Sequence, residues 1–506
     1  MRKAKSQILI LQKHDMEIPE HDPAMETGGR RYVPLLAWVL VVLTLVLIPL
    51  KIVSYGYVPV GDARRHVAKA FTDKPYDQIM VMRPGYTVDH SPGWEWSLHF
   101  LHRKAGWSRD QLMSFSVCVL TACVFFSPLL WLRRPEAWLA ALLAQMVAVP
   151  ELMERFAQGR PFLITEGVLI ALLFYWRKPD SKNPPALKMI LTSAVLAFSV
   201  FMHGSWYLWV LLPLAFFLAQ QWRAGMGLSV CCVIGVIVGA LLTGNPAGFL
   251  ETHLTMAFSI YNEHAPQWVL VGELGPGSGD FTTLILLAVI FLWRRQDGKN
   301  DWNFFRQPVV WLLVVGWIFG LRADRFWSDW GLPAALVWMT IQFDESMQAA
   351  VNPNSLKRLM LCGLLATPLY FHCTDDFGRR YTSYLTEVQL DANDPQLQGW
   401  LPEKNGIFYA AQMSFFYDTF YRNPQADWRY AFGFEPALMT DENLKIYRRI
   451  QWNQWDLQSY EPWIKTMRPA DRLVVLSSTQ PDLPQLEWRY AFGNTWIGRL
   501  PENNQR

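Results

Sequence analysis

Residues 1–32 are polar and of mixed charge, and residues 33–53 are almost wholly apolar. A membrane-crossing helix needs about 20 consecutive apolar residues, which this segment supplies. Further apolar blocks occupy residues 111–132, 136–150, 162–176, 187–203, 206–221, 226–244, 281–293, 308–321, 330–343 and 356–373. The pattern predicts a polytopic α-helical membrane protein with about eleven transmembrane helices, the shorter ones tilted, extended into loops or re-entrant. Polar residues return mainly in three stretches, 54–110, 245–280 and 374–506.

Basic residues between the blocks assign the sides, because short cytoplasmic loops collect Lys and Arg. With the N-terminus inside, Arg30, Arg31, Arg133, Arg134, Arg177, Lys178, Arg223, Arg294, Arg295, Lys357 and Arg358 all fall on one side. The expected organisation is a cytoplasmic tail (1–32), a bundle in the inner membrane (33–373) and an extracytoplasmic C-terminal domain (374–506). Residues 1–29 have no apolar core of the signal-peptide kind. The C-terminal segment has strand-like runs at 406–411 and 472–477 and a helical stretch at 441–452, which predicts an α/β domain. The hexapeptide Trp-Arg-Tyr-Ala-Phe-Gly occurs at 428–433 and again at 488–493. A duplicated unit is one explanation, although the flanks differ.

Composition sharpens this. Hydrophobic residues make up 51% of the 506 and charged residues 18%, against about 25% charged in soluble domains. So much apolar surface excludes a disordered chain. A mean hydropathy of only +0.08 reflects dilution by the polar stretches. A net charge of +3 gives no reason to invoke nucleic acid. Cys118, Cys123, Cys231, Cys232, Cys362 and Cys373 lie in or at the end of apolar blocks, so no disulfide framework supports the polar stretches.

Chemistry gathers at the outer ends. Eight of the 10 His fall there: His66, His90, His99 and His102 in the first polar stretch, His253 and His264 in the second, and His203 and His372 at block ends. Imidazoles are versatile hydrogen-bond partners, and their clustering suggests a polar site. Within Val-Pro-Val-Gly-Asp-Ala-Arg-Arg-His at 58–66, Gly61 allows a sharp turn before an amphipathic helix expected over 63–71. Asp62 either caps that helix or meets a substrate at the membrane surface. A second interfacial helix is expected over 94–104, with Trp94, Trp96 and His99 suited to that boundary. Arg64, Arg65, Lys69, Lys74, Arg83, Arg103 and Lys104 make this stretch basic, as holding an anionic phosphate requires. Glu151, Glu154, Arg155, Arg160 and Glu166 follow near the third and fourth blocks, where ionisable residues are functional candidates. Arg322, Asp324, Arg325 and Asp329 form either a salt-bridged turn or a grip on phosphate. Asp89 with His90, His99 and His102 offers metal-ligand types in no recognised spacing. An oxygen-ligated divalent ion, Mg or Mn, through Asp62 and Asp89 is preferred to zinc.

This layout resembles the glycosyltransferase-C superfamily, which includes protein O-mannosyltransferases, aminoarabinose transferases and oligosaccharyltransferases. The resemblance rests on the first span, the long loop with an acid just past it, two interfacial helices, the bundle and the outer domain. Its best local motif is Gly61-Asp62-Ala63-Arg64-Arg65-His66. The paired Asp-Glu of the O-mannosyltransferases and the Trp-Trp-Asp signature of oligosaccharyltransferases are absent. The resemblance implies an inverting transferase that moves a sugar from a polyprenyl-phosphate donor to an envelope glycan, lipid or protein acceptor. Asp62 would be the base, with Asp89 and Glu154 as further candidate catalytic carboxylates. Arg64, Arg65, Arg160, Arg322 and Arg325 would bind the donor phosphate, and His66, His90, His203 and Trp94 the substrates. A polysaccharide polymerase or ligase, a lipid-linked-sugar flippase and a non-catalytic envelope scaffold are the alternatives.

Overall fold

The computed structural model describes residues 32–85, 89–178, 184–262, 275–277, 280–296, 302–386 and 388–501. Every apolar block contains a helix: Val33–Ser54, Arg109–Phe126, Glu136–Ala148, Phe162–Tyr175, Ala186–Met202, Leu211–Leu218, Trp222–Leu242, Phe281–Gln296, Pro308–Gly320, Leu332–Ala350 and Leu356–Thr374. Among the described residues, three helical stretches are long and apolar enough to cross a membrane: Val33–Ser54, Arg109–Trp131 and Trp222–Leu242. The eleven expected spans are therefore eleven helices of unequal reach. Proline at the start of several fixes where they begin: Pro135, Pro161 and Pro185 each occupy an N-cap.

The long helices show why a bundle forms. Val33–Ser54 buries Ala37, Val41, Leu45, Ile48 and Ile52, at helical spacing, and leaves Leu36, Val39, Leu43, Leu47 and Leu50 exposed. Trp222–Leu242 likewise exposes Met226, Val233, Ile237 and Leu241. Apolar faces of this extent are stable against lipid and costly against water. On its inner side, Gly235 and Gly239 let Trp222–Leu242 close on Ala186–Met202. An added Cβ would lie 2.6 Å from the Leu196 Cβ and 2.7 Å from the Ala197 carbonyl oxygen, respectively. All six cysteines are free and buried or half-buried.

Ion pairs tie one end of the bundle together. Arg358 donates from Nε and Nη2 to the two oxygens of Glu136 at 2.7 and 3.0 Å. Arg177 and Arg294 both pair with Glu345, and the Arg134 backbone donates to Asp344 at 3.0 Å. These are the cations whose spacing grouped their loops on one side, and they meet at a common level.

The C-terminal segment carries a five-stranded sheet of order β2-β1-β3-β5-β4: β1 Ile407–Ala410, β2 Arg429–Tyr430, β3 Arg472–Leu476, β4 Glu487–Phe492 and β5 Thr495–Arg499. β1 runs parallel to β2 and β3, whereas β5 is antiparallel to β3 and β4. The repeated hexapeptide thus supplies both edges in unlike pairings. Its first copy buries Trp428, Tyr430 and Phe432, and its second leaves Tyr490 52% exposed. Copies of one duplicated unit would pair alike, so the repeat is not structural symmetry. The first polar stretch docks on the β2 edge. Val81 N donates to the Tyr430 carbonyl at 2.8 Å and Arg83 N to that of Leu438 at 2.9 Å.

Candidate active site

Gly61 precedes the Asp62–Ala70 helix with φ 93°, a conformation glycine adopts without steric cost. The turn places Gly61 at the N-cap and Asp62 at the first helical position, where its side chain makes no capping bond. The carboxylate is engaged elsewhere. Its Oδ1 accepts from Arg65 Nε at 3.3 Å and from the Tyr417 hydroxyl at 3.2 Å. Both hydrogen bonds to Asp62 among the described residues fall on Oδ1, which leaves Oδ2 for a ligand. Burial opposes ionisation of Asp62, but Arg65, Arg160, His66 and Arg325 outweigh it and hold the carboxyl well below the usual carboxylate range. Asp62 is therefore an anion at neutral pH.

Arg65 organises the surroundings. Its Nη1 donates to Asp89 Oδ2 at 2.6 Å and to the Tyr76 hydroxyl at 2.7 Å, and Nη2 lies 3.0 Å from His66 Nε2. The Phe434 ring covers the guanidinium carbon at 4.0 Å.

The cavity beside Asp62 is built from distant segments. The Asp62–Ala70 helix contributes Asp62, Arg65 and His66, and the residues ahead of the Pro92–Ala105 helix contribute His90 and Ser91. Arg160 stands just before the Phe162–Tyr175 helix, and His203, Gly204 and Ser205 follow the Ala186–Met202 helix. His253, Arg325, Asp329 and Trp330 line other walls, and Phe434 and Glu435 come from the C-terminal segment. Arg177 and Glu345 lie at the far ends of helices that begin at this cavity.

Burial disfavours the charged forms of two of its imidazoles, His90 and His253. Burial, followed by the nearby His253, pushes His90 down to about 3. The His90 and His253 rings meet edge-on at 4.6 Å. His253 Nδ1 donates to the Phe249 carbonyl at 2.6 Å, which fixes Nε2 as the acceptor. Gly204 N donates to the His90 carbonyl at 2.6 Å, and a Cβ on Gly204 would lie 2.1 Å from His253 Nε2. Only glycine permits that approach, and Gly204→Ala is expected to displace His253, read as a loss of ligand affinity by calorimetry. In the cavity wall Asp329 pairs with Arg325 Nε at 3.2 Å and with Arg155. Buried Glu166 lies 3.8 Å from Arg155 Nε.

The fold brings together seven of the predicted site residues: Asp62, Arg65, His66, His90, Arg160, His203 and Arg325. The others stand elsewhere. Arg64 is buried against Asp418 and the Pro59 carbonyl, pointing away from the cavity. Asp89 lies behind Arg65, with its Oδ1 taken by the Ser91 backbone at 2.7 Å. Glu154 lies by Tyr57, Arg322 is exposed, and Trp94 is buried in a stack on Phe115 at 6.0 Å. His264 lies outside the described residues.

The expected metal ligands also part company. His102 Nδ1 is 3.0 Å from the Trp107 carbonyl and His99 is 3.9 Å from Asp73, so neither joins His90. The Arg65 guanidinium stands between Asp62 and Asp89, where a shared divalent ion would have to sit. Among the described residues His66, Asp89 and Glu95 do bring ligand atoms within 4.8 Å of one another. Arg65 again lies in their midst, 3.4 Å from Glu95. One guanidinium thus stands among these carboxylates and is already a partner of each.

Tyr417, Phe434 and Glu435 were not legible as site residues. The run Met-Ser-Phe-Phe-Tyr-Asp-Thr-Phe-Tyr-Arg at Met413–Arg422 reads as a core helix, and only tertiary docking gives one of its tyrosines a carboxylate partner.

No family model matches the chain, and no curated protein matches it. Among solved structures, the apo oligosaccharyltransferase of Archaeoglobus fulgidus is similar at a TM-score of 0.47 and 12% identity, over 90% of this chain and 70% of that one.

Proposed function

We propose that this protein is an integral membrane glycosyltransferase of the glycosyltransferase-C type, using a polyprenyl-phosphate sugar as donor. The observation that carries the reading is the anionic Asp62, held by one oxygen beside a cavity of arginines and histidines at one end of an apolar bundle. An acceptor hydroxyl is a weak nucleophile, and Asp62 Oδ2 takes its proton as the oxygen attacks the anomeric carbon. The new glycosidic bond forms as the bond from that carbon to the phosphate oxygen breaks, and the lipid phosphate leaves with the electron pair. Direct displacement inverts the anomeric configuration. Arg160 and Arg325 are the cations placed to meet the growing phosphate charge, with Arg65 beside the base. The acceptor is an envelope glycan, lipid or protein on the outer face of the cell membrane, a side supported by the basic residues of the short loops between the apolar blocks.

Arg325→Ala is expected to weaken donor binding about tenfold or more, the scale of a lost hydrogen bond to a charged group. Arg322→Ala should leave affinity unchanged, because that side chain is exposed and does not line the cavity. Titrating extracted lipid-linked sugar against both purified variants checks the pair. A flippase would instead move labelled lipid across a vesicle membrane and form no glycosidic bond.

A further inference from the structure

The candidate base is held from two sides, and one of them lies 355 residues away in sequence. Tyr417 sits in the Met413–Arg422 helix, with its hydroxyl 3.2 Å from Asp62 Oδ1. The next residue, Asp418, pairs with Arg64, two residues beyond Asp62 on the facing helix. Adjacent residues of one helix thus hold two residues in the first turn of the other, and the register between C-terminal segment and site follows from both contacts. Tyr417 is 7% exposed. Burial, with the charge of Asp62 next, raises its hydroxyl well above the usual tyrosine value, so it stays protonated and donates.

We propose that Tyr417 is the positioning residue for Asp62: its hydroxyl, with Arg65 Nε, fixes Oδ1 and leaves Oδ2 directed at the acceptor hydroxyl. The inference rests on the reading of Asp62 as base. It makes the C-terminal segment part of the catalytic apparatus, since the hydroxyl that orients the base comes from there. The charged and titratable groups around Asp62 are Arg65 and His66 on its own helix, Arg160, His203, Arg325, and Tyr417 with Glu435 from the C-terminal segment. Of these Tyr417 is the neutral donor, and its removal changes the hydrogen bonding of Asp62 without changing the charge of the cavity.

The test uses the full-length protein in vesicles. Lipid-linked sugars extracted from host membranes serve as donor, and the envelope fraction of cells lacking the protein serves as acceptor. Tyr417→Phe keeps the ring and its packing. Its kcat should fall about tenfold, the scale of one hydrogen bond to a charged group, with donor KM within about twofold. A hydrogen bond to the carboxylate lowers its pKa, so deleting the bond raises it. The acid limb of the kcat profile should therefore move to higher pH. A purely structural role predicts a lower thermal midpoint with an unmoved acid limb, and that result would overturn the proposal. Unchanged kcat and acid limb in Tyr417→Phe, alongside an inactive Asp62→Asn, would also overturn it while sparing the base. An active Asp62→Asn would remove both.

Discussion

Asp62→Asn is expected to cut sugar transfer by about 10²–10⁴-fold, the range for loss of a general base, with folding and donor binding retained. Asparagine is nearly isosteric, and its oxygen can still accept from Arg65 Nε and Tyr417 at the position of Oδ1. What changes is the other atom. An amide nitrogen stands where Oδ2 stood and accepts no proton. The wild-type charge state sets the pH behaviour. Asp62 is held below the usual range by Arg65, Arg160, His66 and Arg325 against burial, so protonation of this group should not limit transfer until pH falls below about 4. Single-turnover transfer of labelled sugar, with donor affinity measured separately, distinguishes a lost base from a lost site. Near-normal turnover in Asp62→Asn would mean that another group removes the proton.

The second large effect lies at the opposite end of the bundle. Glu136→Ala is expected to destabilise the protein by about 3–5 kcal/mol, the cost of leaving a buried charge without its partner. The side chains of Arg358 and Glu136 are 3% and 1% exposed, and the guanidinium meets the carboxylate through two parallel hydrogen bonds. Arg134 is a second cation 3.7 Å from the same carboxylate, so its loss leaves two positive charges facing each other. Pairing Glu136→Leu with Arg358→Met should recover part of the loss, since it removes one of the two facing cations and leaves Arg134 its bond to the Val351 carbonyl. Thermal unfolding in detergent measures both variants, and a single variant as stable as the wild type would refute the clamp.

Legibility in the sequence divides along physical lines. Apolar blocks were readable because burial in a bundle needs continuous hydrophobicity, and each block contains a helix. Which of them reach spanning length was not, because prolines at helix starts and polar ends shorten the regular part. Gly61 and Asp62 were readable from a turn residue beside an acid just past the first span. Arg64 and Arg65 look equivalent in sequence, yet successive helical residues point about 100° apart. One therefore faces Asp418 and the other faces Asp62, and only the docked C-terminal segment decides which. Asp89 was expected as a catalytic carboxylate, but it accepts from Arg65 and does not line the cavity. The contributions of Tyr417, Phe434 and Glu435 depend on contacts across hundreds of residues, for which local periodicity carries no signal.

The proposed reaction moves sugar from a lipid phosphate to an acceptor through Asp62. Its most direct measurement is mass spectrometry of lipid-linked sugars and envelope glycans from cells lacking the protein, restored with the wild type or with Asp62→Asn. The deletion is expected to accumulate a polyprenyl-phosphate sugar and to lose that sugar from one glycan, and only the wild type is expected to reverse both. Glycans unchanged by the deletion, or fully restored by Asp62→Asn, would contradict it.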